Sequence, residues 1–360
     1  MSPKASQATS EAFLAARRHG HKDQKGSLDD GCQDGLLARA DGHHHGVDPE
    51  STIDRENNPV DPWRLIERVP NRMDLGVSES IFALSNGYMG MRANPSEGRD
   101  SAYHGTYING LHETWNIRHA EDAYGLARKG QTLVSAPDAK PMRLYIDDEP
   151  LRLGSADLEG YERVLDFREG VLRRNLIWRT PSGKRVRVTS ERMISFQEKH
   201  LAIMSLEVEL LDADAAVVIS SQILNRQDGE DEYHGGGNGN GDNSAAEKDP
   251  RQGETIEERV LIPTFRAHPA PERATLGYRC AESGMTVTCS MDHKLTVDMP
   301  GAESLNTREE AGVEVDARVR DDNARVVHHL NGKQGMTIRL EKFVSYHSSR
   351  HVAAEELAFR

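Results

Sequence analysis

Between about Pro59 and Tyr346 apolar residues recur at every second position, in runs closed by turn residues, and stretches with a helical period are scarce. RLYIDDEPLRL puts Leu144 and Ile146 on one face and turns at Asp147-Asp148. VLRRNLIWRT and KRVRVTSERMIS read as a hairpin across Pro181-Ser182-Gly183, with Val186 and Val188 alternating against Arg185, Arg187 and Thr189. LAIMSLEVELL and AAVVISSQIL are two further candidate strands. ATLGYRCA and MTVTCSMDHKLTV alternate on either side of a turn at Glu282-Ser283-Gly284, and MTIRLEKFVSYHSS, with Ile338, Leu340 and Phe343, closes the series. A sheet with one apolar face has to bury it against another layer. The pattern therefore predicts a mainly-β chain, a large antiparallel β-sandwich or supersandwich over 59–346.

The flanks break the pattern. Residues 1–58 show short helix potential at Ser10–Arg18 and then little but Gly, Asp, His and Gln, which cannot offset the entropy of ordering, so they read as a disordered tail. Residues 228–253, DGEDEYHGGGNGNGDNSAAEKDPRQG, read as a flexible insertion between strands. Residues 347–360 hold helix formers and read as the start of a linker helix that the chain does not complete. His43, His44 and His45 form a tract open to two readings, a metal site or adventitious binding by a flexible run with no second cluster at ligand spacing.

Bulk properties exclude several classes. A net charge of −13 argues against non-specific nucleic-acid binding, which needs a basic stripe. No apolar run reaches membrane-spanning length, and the basic start lacks the apolar core of a secretory signal. Cys32, Cys280 and Cys289 are too few and too odd for a disulfide framework. Cys280 and Cys289 could sit on neighbouring strands as buried thiols, and a reducing cytoplasm fits.

Three segments carry more than strand pattern: SESIFALSNGYMGMRANPSEG (Ser78–Gly98), GTYINGLHE (Gly105–Glu113) and YERVLDFREGVLRRNLIWRTPSGKRVRVTSERMIS (Tyr161–Ser195). Asn86-Gly87 and Met89-Gly90 suggest a tight turn or close backbone approach, and Asn109-Gly110 reads as another turn. Arg163, Arg168, Arg173 and Arg174, with Asp166 and Glu169, could pair on a sheet face or meet a partner domain or phosphate. Trp115 and Trp178 could stack on a sugar ring or pack in the core.

In order and spacing the three segments resemble the N-terminal domain of glycoside hydrolase family 65, over about Asp61 to Tyr346. That family comprises maltose, trehalose and kojibiose phosphorylases and related α-glucoside hydrolases, and the resemblance is nearest to actinobacterial-type trehalose or kojibiose phosphorylases or hydrolases. It implies that catalysis belongs to a barrel of paired α-helices following the sandwich and absent from this chain. There a glutamic acid protonates the glycosidic oxygen, and phosphate, or water activated by a second carboxylate, attacks the opposite face with inversion. It further implies inorganic phosphate as co-substrate in the phosphorylases, an α-linked glucose disaccharide as substrate, the missing barrel as partner, and room for a homodimer. No acid here lies in a segment resembling the catalytic motif, so no catalytic, cofactor-binding or metal-ligating residue is assigned. A pair such as Glu113 and Asp166 is expected to be solvated on the sandwich. The chain alone is expected to be inactive. A stand-alone carbohydrate-binding sandwich and a scaffold or dimerisation module are the alternatives. Backbone amides in 1–58 and 228–253 are expected to exchange without protection on the hydrogen-exchange timescale. Strong protection there would overturn the reading.

Overall fold

The alternating runs become strands, paired with their chain neighbours wherever a short turn joins them. A computed structural model describes residues 54–71, 75–98, 101–102, 104–117, 119, 121, 124–226, 259–301, 304–306 and 309–359. In chain order the elements are β1 (Arg64–Glu67), α1 (Leu75–Ile81), β2 (Leu84–Ser85), β3 (Met89–Met91), β4 (Thr106–Asn116), β5 (Lys129–Ser135), β6 (Met142–Ile146), β7 (Glu149–Pro150), β8 (Asp157–Asp166) and β9 (Val171–Arg179). They continue with β10 (Arg185–Ile194), β11 (Leu201–Leu210), β12 (Ala215–Leu224), β13 (Leu261–Ala270), β14 (Arg273–Cys280), β15 (Thr286–Asp298), β16 (Glu314–Val319), β17 (Asn323–Gly332), β18 (Thr337–Ser348) and a 3-10 turn at Ala354–Phe359.

Three antiparallel sheets result. The largest runs β1-β8-β9-β10-β11-β18-β15-β14-β13, the second β16-β17-β12-β6-β7, and the third β2-β3-β4-β5. The large sheet turns Leu206, Val208, Ile338 and Leu340 towards Leu144, Ile146, Val217, Ile219 and Val326 of the second, in one buried cluster. On β10, Val186 and Val188 face this core opposite Leu210 and Val208, while Arg187 lies on the outer side. Each such apolar side chain stabilises the fold by about 1.5–3 kcal/mol. Among the described residues α1 is the one α-helix, so the mainly-β sandwich stands, without a helical barrel.

Several local readings change. Asn109-Gly110 does not reverse the chain. Both residues lie inside β4, where the register jumps from Tyr107–Ser135 to His112–Leu133 as a bulge. Asn-Gly signals a left-handed backbone, which bulges need as much as turns do, and Gly110 has φ +86°. The boundary of the body moves as well. Asn57 accepts the backbone N–H of Arg68 and Val69 and donates to Val69 O, so 54–58, counted with the tail by composition, dock on the body. At the other end β18 runs on to Ser348, and Ala354–Phe359 forms a 3-10 turn in place of the expected helix start. Residues 1–53 and 227–258, with Cys32, the His43–His45 tract and the 228–253 insertion, lie outside the described residues.

The segment 136–141, Ala-Pro-Asp-Ala-Lys-Pro, joins the third sheet to the second through the interior, buried at every residue yet almost free of ladder pairing. Buried backbone groups need partners. Pro137 and Pro141 bring no N–H. Ala136 N donates to Thr106 O, and Asp138 exchanges both backbone bonds with Leu224. Lys140 N donates to Asp138 Oδ1 and Gln222 N to Pro141 O, both at 3.1 Å. Two side chains of β18 meet further carbonyls: Tyr346 Oη donates to Pro137 O at 2.7 Å, and Lys342 Nζ to Ala139 O at 2.6 Å, Gln222 O at 2.8 Å and Pro141 O at 3.4 Å. Burial pushes Lys342 down to about 7. Lys342→Met should lower unfolding free energy by about 2–4 kcal/mol, because it leaves buried carbonyls unmet. The folded-state value lies below the ordinary 10.5, so between about 7 and 10.5 only the unfolded chain holds the proton. This residue's contribution to stability should therefore rise with pH across that window, and the variant should lose the slope. Urea denaturation at pH 7 and 9 reads both effects, and unchanged midpoints would count against the assignment.

Candidate functional site

The three singled-out segments meet at one end of the sandwich. Asn86 Oδ1 accepts the N–H groups of Tyr88 and Met89 at 3.0 and 2.9 Å, closing the turn between β2 and β3. Its Nδ2 donates to Ser195 O at 2.6 Å and Lys199 O at 3.0 Å, which clamps the loop between β10 and β11. The β4 bulge grips the chain after β18: Arg350 Nη1 donates to Asn109 Oδ1 at 2.9 Å, and a Cβ on Gly110 would strike that guanidinium. Tyr88 Oη donates to Tyr346 O at 3.2 Å. His200 lies edge-on to Tyr88 at 4.3 Å and stacks on His347 at 4.2 Å. Burial pushes His200 below its ordinary value, and Lys199 and His351 add to that. The motif residues thus fix the point where the chain leaves the last strand.

The arginines divide. Arg163 pairs with Glu67 at 2.9 Å and hydrogen-bonds Ser78, and Arg174 meets Glu97 with two bonds of 2.9 and 2.5 Å. Burial pulls Arg174 down and Glu97 outweighs it, holding the guanidinium above its ordinary value. Arg173 lies on the outer face with Glu169 and Glu191, and Arg168 covers the Trp63 ring at 4.5 Å. Asp166 accepts the N–H groups of Arg168 and Glu169, capping the turn between β8 and β9.

Glu113 is not solvated. It is 1% exposed and accepts Ser283 N at 2.6 Å and Glu282 N at 3.1 Å, so it caps the β14–β15 hairpin from the third sheet. A contact between an acid and a turn so far along the chain leaves no local signal. Trp178 is buried in the core, and Trp115 lies against Gly130, its partner across the β4–β5 ladder. The Trp178 indole is thus closed to a sugar, whereas Trp115 is half-buried with one face against Gly130. The core also silences other groups. Burial pushes the thiols of Cys280 and Cys289, on adjacent strands, up to about 11 and about 12. His293 is held well below its ordinary value by burial, between Glu272 O at 2.6 Å and Ser221 Oγ at 2.8 Å.

Beneath this end lies a charged knot that the sequence did not suggest. Burial alone would raise the Asp138 carboxyl, but Lys140 at 2.7 Å, Arg226 at 3.1 Å and His104 at 3.5 Å hold it well below the usual carboxylate range. Lys140 also donates to Gly105 O and Thr106 Oγ1. Asp138, Glu67, Glu97 and Glu113 are thus all committed to holding backbone or cations. Among the described residues no three His, Cys, Asp or Glu side chains gather as a metal site, and no helix is long and apolar enough to cross a membrane.

The same chain pattern occurs in known proteins. An uncharacterised glycosyl hydrolase of Mycobacterium tuberculosis is 32% identical over 289 residues, covering 80% of this chain and 33% of that protein. The α,α-trehalose phosphorylase of Thermoanaerobacter brockii is 29% identical over 297 residues, covering 81% and 35%. The kojibiose phosphorylase of Escherichia coli is 34% identical over 164 residues, covering 45% and 20%. A solved structure assigned as a kojibiose phosphorylase from the human microbiome shares the fold with a TM-score of 0.63 at 17% identity, over 85% of this chain and 36% of that one. The chain thus spans about a third of the length of the first of these relatives. Residues 65–360 match the family described as glycosyl hydrolase family 65, N-terminal domain, and the chain belongs to that family through this domain.

Proposed function

We propose that this chain is the non-catalytic sandwich of a family 65 enzyme of carbohydrate metabolism, working in the cytoplasm on an α-linked glucose disaccharide of the trehalose, maltose or kojibiose kind. The observation that carries the reading is the commitment of the buried acids. Glu67, Glu79, Glu97 and Asp138 neutralise cations, Glu113 caps a hairpin, and Glu341, which burial raises above its ordinary value, stands alone 4.0 Å from Lys294, so no two of them are free to serve as the acid and the base or nucleophile that cleavage needs. Relatives named as trehalose, kojibiose and maltose phosphorylases support the substrate class. Chemistry then falls to the part of the relatives beyond the match, with phosphate as co-substrate in a phosphorylase or activated water in a hydrolase. The burial of Trp178 in the core removes one of the two indoles that a stand-alone carbohydrate-binding module could use.

The partner domain needs a surface, and one is available. Val60, Val69, Ile81 and Phe167 stand exposed around a groove formed by residues 54–71, α1 and β8. Apolar patches of this kind recruit partners. The isolated chain should therefore self-associate at high concentration, and a sharp monomer boundary in sedimentation velocity would contradict this. Purified alone, it should turn over neither trehalose, maltose nor kojibiose, with or without phosphate, in assays for glucose and β-glucose 1-phosphate. A reaction needs an acid and a nucleophile placed on opposite faces of the sugar, and loosely placed groups forfeit most of the rate. Turnover abolished by changing one acid of the sandwich would overturn the proposal.

A further inference from the structure

Three arginines of neighbouring strands, Arg163 on β8, Arg174 on β9 and Arg192 on β10, line one small cavity beneath residues 93–96. Their relative exposures are 8%, 5% and 6%, so all three guanidinium groups are withdrawn from water. Arg163 and Arg174 are direct cross-strand partners, and like charges so placed repel. Glu67 and Glu97 neutralise these two. Arg192 has no ion pair within 4 Å among the described residues. It donates only to Arg92 O at 3.2 Å and Asn94 O at 3.1 Å. Glu191 also borders the cavity, but strand alternation sends its carboxylate to the other face, where it holds Arg173 at 2.8 Å.

One positive charge is therefore left over in a buried space. Two buried donors, Nε of Arg163 and Nε of Arg174, have no hydrogen-bond partner. Burial drags Arg192 down to about 10; the charges of Arg174 and Arg163 push the same way, and those of Asp138 and Glu97 offset them only in part. An unpaired buried guanidinium is costly, and guanidinium forks are suited to small anions. The cavity offers about 30 Å³, room for one small ion.

We propose that Arg163, Arg174 and Arg192 bind a small inorganic anion in this cavity, as a structural site inside the sandwich. Chloride and phosphate would be recognised by the same chemistry, and the test separates them. Thermal unfolding of the full chain is followed at constant ionic strength in sodium gluconate, with chloride or phosphate replacing gluconate stepwise. A saturating rise of about 2–4 °C with chloride, phosphate or both is expected, because a ligand of the native state alone stabilises it by mass action. Arg192→Met should lose that rise, while Arg168→Met, on the surface over Trp63, should keep it. Midpoints indifferent to the anion, or a rise that survives in Arg192→Met, would overturn the site. Should Arg192→Met fail to fold, wild-type crystals soaked in bromide and in phosphate decide: a peak among the three guanidinium groups supports the site, and its absence in both overturns it.

Discussion

A stretch of backbone buried without a sheet ladder of its own is the constraint on which this fold turns. Residues 136–141 pass between the third sheet and the second, against the inner face of the large one, and their carbonyls are met by Tyr346 and Lys342. These two side chains are four residues apart on β18, hence on the same face. β18 is also central to the large sheet, between β11 and β15. The strand that organises the sandwich thus also secures the crossing, and an apolar residue at position 342 would fill the space without meeting the carbonyls.

Charge is paired inside the domain as well as at its surface. Arg163–Glu67, Arg174–Glu97 and Lys140–Asp138 are almost fully buried, and such pairs gain little net stability over apolar packing. Removing one partner is far more damaging than the pair is helpful, which makes them specify a single arrangement of the 92–98 segment over β8, β9 and β10. Asn86 and the β4 bulge do the same work at the end where the chain leaves β18. The buried acids Glu67, Glu97, Glu113 and Asp138 are spent on structure.

Features with a local signal could be read in the sequence. The β9–β10 and β14–β15 hairpins, the Asp147-Asp148 turn with both residues at positive φ, and the buried thiols on adjacent strands follow from alternation and turn residues. Asn109-Gly110 announced its backbone conformation but not that a bulge would use it. Long-range partners gave no such signal. Lys342 sits in EKF like a surface lysine, Glu113 looks like a solvated acid, and both are claimed by backbone groups far away in the chain. The one α-helix among the described residues, seven residues long, falls below the length at which periodicity speaks. What the sequence pattern could not rank was which arginines would be interior, because alternation fixes a face but not what covers it.

The claim that the 136–141 crossing is held as firmly as the sheets themselves is tested most directly by native-state hydrogen exchange at Asp138 and Leu224. These residues bond each other's backbone at 2.7 and 2.9 Å, so release of the crossing frees both amides. Both amides should exchange only through global unfolding, with the same free energy and denaturant dependence as the amides of β18. Exchange at a clearly lower free energy, while β18 stays protected, would show that the crossing opens by itself and that Lys342 and Tyr346 do not anchor the fold.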